Sequence, residues 1–285
     1  MRLARFTHRS MTTWGFVDGE ELRAAPAGAP GLTQALTAGG EVLTDLRAAA
    51  GPPVPLAEAR LLAPIERPSK VVCVGLNYGE HAREAGLAIP TEPLLFAKFP
   101  SAICGPADDV RLPAPARLVD WEAELGVVIG SRIEQVSPEH ALEHVAGYLV
   151  ANDVTARDLQ GSDGQWVRSK SFTSFCPLGP WVTTRDEVGD GSGLTVRLTV
   201  NGVVKQHGNT SDLIFGVAEL VSFCSQVSAW EPGDVLLTGT PAGTGFGMKP
   251  REFLSEGDHM ETSISGLGGL SNRVVRADQS NADGV

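Results

Sequence analysis

Glu122 and Glu124 stand two positions apart in LVDWEAELGVVI, residues 118–129, an apolar run that reads as a buried strand. Side chains at i and i+2 of a strand share a face, so two carboxylates meet where water is scarce. Like charges in such a place require either a cation between them or a proton on one of them. Asp153 offers a third carboxylate in YLVANDVT, where another apolar run passes into polar residues. Three acids without a neighbouring histidine or cysteine make an all-oxygen donor set, suited to Mg²⁺ or Mn²⁺ rather than to zinc. The competing arrangement is a set of separate surface ion pairs, with Arg157 and Arg168 as partners.

Three further segments carry chemistry. In GLNYGEHAREAG, residues 75–86, a strand end opens into a glycine-flanked loop able to form one helical turn, with His81 and Glu84 at i, i+3 spacing. A carboxylate orienting an imidazole in this way is the arrangement of a general base for water, although an isolated pair of this kind is also an ordinary solvated surface feature. Lys170, among small and apolar residues in RSKSFTSFCPLGPW, residues 168–181, is placed to stabilise an oxyanion or to snorkel to the surface. The loop GTPAGTGFG, residues 239–247, offers backbone amides and Thr240 to an anion such as a carboxylate. It lacks the lysine-serine pair of a phosphate loop, and a plain tight turn would read the same way.

The elements that hold these residues are mostly short. Residues 1–65 form a small leading domain with short strand-like segments at 3–7 and 13–17 and an Ala/Gly/Pro-rich stretch at 24–31. Prolines 52, 53, 55, 64 and 68 then lead into a buried strand at residues 70–75, and the main domain starts near residue 66. Further β-rich runs fall at residues 94–99, 122–129, 147–151, 195–201, 234–238 and 259–264. Helical patterns cover residues 138–144, with Ser137 as N-cap, and residues 211–226, where Leu213, Ile214, Val217, Leu220, Val221 and Cys224 share one face. The main domain is therefore mainly β with short helices and runs to residue 277, and residues 278–285 form a polar tail.

Bulk properties exclude several classes. A net charge of −11, from 23 basic and 34 acidic side chains, argues against a nucleic-acid footprint. No apolar run reaches the roughly 18 residues of a membrane span. Cys73, Cys104, Cys176 and Cys224 show no metal or disulfide spacing and read as buried hydrophobes of a reduced, cytoplasmic protein.

In this order and spacing, GLNYGEHAREAG, FAKFPSAICGP, DWEAELGVVIG, NDVTARDLQ, SKSFTSFCPLGPW, GNTSDLIF and GDVLLTGTPAGTGFG resemble the fumarylacetoacetate hydrolase family over residues 66–275, on its acylpyruvase and 2-hydroxyhepta-2,4-diene-1,7-dioate isomerase side. The resemblance implies a twisted β-roll catalytic domain that is usually a homodimer and holds Mg²⁺ or Mn²⁺. It implies Glu122, Glu124 and Asp153 as metal ligands, His81 and Glu84 as a water-activating dyad on a lid, and Lys170 as the oxyanion-stabilising residue. Tyr78, Gln160 and Thr240 fall where relatives contact substrate oxygens. Ser169 and Thr173 replace a glycine and an aspartate common in the family, and Thr244 a valine, which bears on substrate choice.

The chemistry so implied is hydrolysis of a carbon-carbon bond in a 1,3-dicarbonyl substrate, an acylpyruvate-like keto acid or diketone. The same site also serves oxaloacetate-type decarboxylation and 2-hydroxydienoate isomerisation. The intact dyad points to hydrolysis, because decarboxylation needs no activated water. A non-catalytic metal-dependent binding protein on the same fold would lack one of these groups. A glycosidase needs carboxylates flanking a bond, not adjacent on one strand face.

Overall fold

The computed structural model describes residues 1–84 and 86–277; the tail expected at 278–285 lies outside them. A twelve-stranded sheet forms the centre of the molecule. In it Ala123–Ile129 lies between Val145–Asn152 and Val235–Leu237, antiparallel to both, and Val71–Gly75 and Leu94–Lys98 continue beyond. On the other side Val145–Asn152 pairs with Cys176–Thr184, which in turn pairs with Arg2–His8, so the leading segment extends the same sheet. A five-stranded sheet, ordered Val203–Asn209, Thr195–Val200, His259–Ile264, Gly268–Arg276 and Val110–Leu112, packs against it. The core between them joins Leu125, Val127, Tyr148 and Val150 of the large sheet to Val196, Leu198, Met260 and Leu270 of the small one.

The β-rich runs appear as strands within a residue or two, and the departures have physical causes. The helix expected over residues 211–226 occupies Val217–Val227, after a 3-10 turn at Thr210–Asp212. The preceding residues are extended because Leu213 bridges to Tyr78, the Ile214 amide donates to the Asn77 carbonyl (2.9 Å) and the Phe215 amide donates to Asn77 Oδ1 (2.8 Å). Over residues 138–144 the helix covers only Pro138–Ala141 before a 3-10 turn, and the Ser137 side chain makes no capping bond. Pro138 at the first helical position presets the backbone and has no N–H to offer. Helices at Leu32–Ala38, Gly40–Ala48 and Arg157–Asp163, and strands at Cys176–Thr184, Val203–Asn209 and Gly268–Arg276, are additional to the sequence reading. Among the described residues no helix is long and apolar enough to cross a membrane.

All four cysteines are free; Cys73, Cys176 and Cys224 are buried, whereas Cys104 is partly exposed. Burial pushes the Cys176 and Cys224 thiols up to about 12. An unfolded thiol ionises near 8.5, so above that pH the unfolded chain loses protons that the native chain keeps. Stability is then expected to fall by ~1.4 kcal/mol per pH unit for each such thiol. In urea unfolding between about pH 8 and 10, Cys224→Val should flatten that slope by one thiol's share. An unchanged slope would mean that Cys224 ionises in the native protein.

Candidate active site

Two neighbouring strands converge on the acidic group. Glu124 lies on Ala123–Ile129 opposite Ala151, and Asp153 follows the end of Val145–Asn152. The Asp153 amide donates to the Glu122 carbonyl (2.8 Å), which ties the two strand ends together. Glu122, Glu124 and Asp153 are all buried, and one carboxylate oxygen from each lies within 4.8 Å of the others.

Cations surround this group, and Lys98 among them was not singled out by the sequence. Its Nζ donates to Asp153 Oδ1 (2.5 Å) and to the Val154 carbonyl (3.2 Å), with no exposure of the side chain. Lys170 Nζ donates to Glu122 Oε2 (2.7 Å) and Asp153 Oδ2 (2.6 Å). Arg157 sits 2.5 Å from Glu122 Oε1 and donates through Nε to Asp120 Oδ2 (2.8 Å). Arg157 is thus a buried partner rather than a surface one, whereas Arg168 pairs with Asp163 at the surface.

The electrostatics follow from these contacts. Burial works against the charged form of Glu122, but Lys170 and Arg157 outweigh it and hold its carboxyl well below the usual range. Burial likewise works against a charged Lys170, and Asp153 and Glu122 outweigh it, so the ammonium stays charged. Glu124 has no cation of its own; its one hydrogen bond among the described residues comes from the Gly239 amide (2.7 Å). Burial, then the charges of Asp153 and Glu122, raise its carboxyl well above the usual range. With all of them ionised, Asp120, Glu122, Glu124 and Asp153 against Lys98, Arg157 and Lys170 would leave one negative charge unbalanced, a charge that a proton on Glu124 or a cation beside it removes. An all-oxygen set with an excess negative charge and an under-partnered carboxylate fits a hard divalent cation.

His81 and Glu84 lie on the one-turn helix Gly79–Glu84, with His81 Nδ1 3.6 Å from Glu84 Oε2, just beyond a hydrogen bond. Both Glu84 oxygens accept from the Gly243 amide (3.1 and 3.2 Å). Burial raises the Glu84 carboxyl, but His81 and this amide more than offset it, and the carboxyl ionises below its ordinary range.

The glycine loop does bind carboxylates, but they are the protein's own. Gly239 holds Glu124, Gly243 holds Glu84, and the amides of Gly245 (2.7 Å) and Phe246 (3.0 Å) hold Asp120. These four amides, expected to face a substrate carboxylate, therefore hold the protein's own acids instead. Gly239 has φ +102°, the left-handed backbone that suits glycine.

A cavity of about 120 Å³ opens between these parts, walled by Glu122, Glu124, Lys170, His81, Glu84 and Arg157, with Phe96, Trp166 and Phe246 on its apolar side. Gln160 and Thr240 also line it. Gln160 Oε1 accepts from Arg157 (2.9 Å), and the Thr240 hydroxyl donates to the Ala123 carbonyl (2.9 Å) while accepting from Gln206 Nε2 (2.7 Å). Tyr78 is not among the lining residues; its buried hydroxyl has no hydrogen-bond partner among the described residues, and burial pushes its ionisation upward. The signal for Lys98 was a charge closing the apolar run LLFAK, the same kind of signal that marked the glutamates. Asp120 carries the same mark, inside the run that holds both glutamates, whereas Gln206 carries none.

Residues 70–275 match the family described as fumarylacetoacetate (FAA) hydrolase C-terminal, and residues 1–64 match one described as Rv2993c-like, N-terminal. Oxaloacetate tautomerase FAHD2A, mitochondrial, from Bos taurus is 48% identical over 226 residues, covering 79% of this chain and 72% of that protein. The Homo sapiens protein of the same name is 45% identical over 249 residues, covering 86% and 79%. Among solved structures, a fumarylacetoacetate hydrolase from psychrophilic Exiguobacterium antarcticum superposes with a TM-score of 0.88 at 37% identity, over 97% of this chain and all of that one (100%). The 2-hydroxyhepta-2,4-diene-1,7-dioate isomerase from Mycobacterium marinum gives 0.80 at 39% identity, over 98% and 100%. These relatives are enzymes, and with a family match over most of its length, the chain belongs to the fumarylacetoacetate hydrolase family.

Proposed function

We propose that this chain is a Mg²⁺- or Mn²⁺-dependent enzyme of small 2-oxo acids that interconverts the keto and enol forms of an oxaloacetate-type substrate. The observation that carries it is the buried triad Glu122, Glu124 and Asp153, whose two glutamates wall the cavity that His81 and Lys170 also line. A divalent cation held by the triad supplies a Lewis acid that favours the enolate of a chelating 2-oxo acid. With Nδ1 turned to Glu84, His81 keeps Nε2 to take a proton from the substrate carbon and return it. Two of the three Lys170 donors are spent on Glu122 and Asp153, and one remains for oxygen charge on the substrate. A cavity of about 120 Å³ is near the ~150 Å³ that houses benzene, which favours a four-carbon acid over a seven-carbon dienedioate. The names of the FAHD2A relatives agree with this reading.

Carbon-carbon hydrolysis of an acylpyruvate is the second reading, favoured by the His81–Glu84 pair, which is equally suited to deprotonating a water. One experiment separates the two: oxaloacetate and acetylpyruvate are supplied with Mn²⁺, following enol absorbance and assaying pyruvate and acetate. Loss of the oxaloacetate enol signal without pyruvate supports tautomerisation; acetate and pyruvate from acetylpyruvate support hydrolysis. His81→Ala should lower turnover by ~10²–10⁴-fold. Unchanged turnover in that variant, with chelation abolishing activity in the parent, would remove His81 from the mechanism.

A further inference from the structure

We propose that Gly247 is a positioning residue for Glu84, its missing side chain being the space in which the Glu84 carboxylate sits. This rests on the reading of His81 and Glu84 as a working pair. The Gly243 amide holds the carboxylate on one side and His81 flanks it on another. Gly247 closes a further side: a methyl group there would overlap Glu84 Cδ and Cγ and come within 2.5 Å of Oε2. Its backbone is not in the left-handed region, so alanine is conformationally acceptable and the collision is with Glu84 alone among the nearest atoms. Glu84 is the flexible partner in that collision, and its side chain keeps 20% exposure. The carboxylate would swing toward solvent, leaving both the Gly243 amide and His81, while the fold is retained.

Chain length at position 84 provides the test. An alanine at 84 ends at Cβ and carries neither of the carbons, Cγ and Cδ, that a methyl at 247 would overlap. Gly247→Ala should therefore lower kcat by ~10²-fold with KM for oxaloacetate little changed. In a Glu84→Ala background the same substitution should change kcat less than about threefold, a non-additivity characteristic of directly contacting residues. Hydrogen exchange, read without reference to activity, should speed up by about tenfold or more in Gly79–Glu84 on Gly247→Ala. It should not respond to Gly247→Ala when position 84 is alanine.

Costs that multiply in the double variant, or exchange in Gly79–Glu84 that is unaffected by Gly247→Ala, would overturn the proposal. If exchange behaves as stated but Glu84→Ala retains full turnover, the placement stands and the dyad reading falls instead. A melting temperature that drops sharply in Gly247→Ala would show that Gly247 supports the fold rather than Glu84, and would also overturn the proposal.

Discussion

Glu124→Gln is expected to abolish the stabilisation that Mn²⁺ gives the parent protein while leaving the metal-free fold at least as stable. A ligand that binds only the folded state adds ~2.7 kcal/mol at a hundred times its dissociation constant, and that increment should vanish in the variant. Glutamine keeps the shape and keeps an oxygen to accept from the Gly239 amide, so the backbone contact survives. It removes the carboxylate that burial, Asp153 and Glu122 all disfavour in its charged form. Without a cation the Glu124 carboxyl is already driven toward its neutral form, so the substitution replaces one uncharged group by another and breaks no ion pair. Thermal unfolding of both proteins with chelator and with excess Mn²⁺ reads the effect, and a variant that Mn²⁺ stabilises as strongly as the parent would place the cation elsewhere.

Lys98→Met should do the opposite, lowering metal-free stability by ~3–5 kcal/mol. Lys98 is fully enclosed and bonded to Asp153 and to the Val154 carbonyl, so methionine fills its volume but leaves a buried carboxylate short of one partner. Removal of one member of a buried pair costs far more than the pair contributes, because the remaining charge has no water to turn to. Arg168→Met, which breaks a pair with Asp163 on the surface, is the control and should cost little. Urea unfolding measures both, and equal small losses would show that Asp153 is not held by Lys98 in solution.

The acidic centre was legible because carboxylates inside apolar runs are costly, and Glu122, Glu124 and Asp153 are buried as that cost requires. The i, i+3 spacing likewise placed His81 and Glu84 on one helical turn. What the loop amides bind was not legible: Gly243 and Glu84 are 159 positions apart, and Gly245 and Asp120 are 125 apart. A glycine-rich segment shows that donors are free to turn toward an anion, not which anion arrives. Cys176–Thr184 was hidden by Pro177 and Pro180, which argue against a strand, yet it pairs with Val145–Asn152 and with Arg2–His8. Helix propensity over residues 213–216 was overridden by the demands of buried Asn77, whose side chain bonds to Phe215 and to the Thr238 carbonyl.

The spacing of the occupied amides makes the loop at 239–247 sensitive to length in a way that surface loops are not. Most loops accept an inserted or deleted residue because the entropic cost of a longer closure is small. Here Gly239, Gly243, Gly245 and Phe246 each meet a different or shared carboxylate at a set distance along the chain. One residue gained or lost between positions 239 and 245 would break the register of that series and detach Glu124, Glu84 or Asp120 from its donor. Indel variants of this loop should therefore be lost from a selected library even where single substitutions survive.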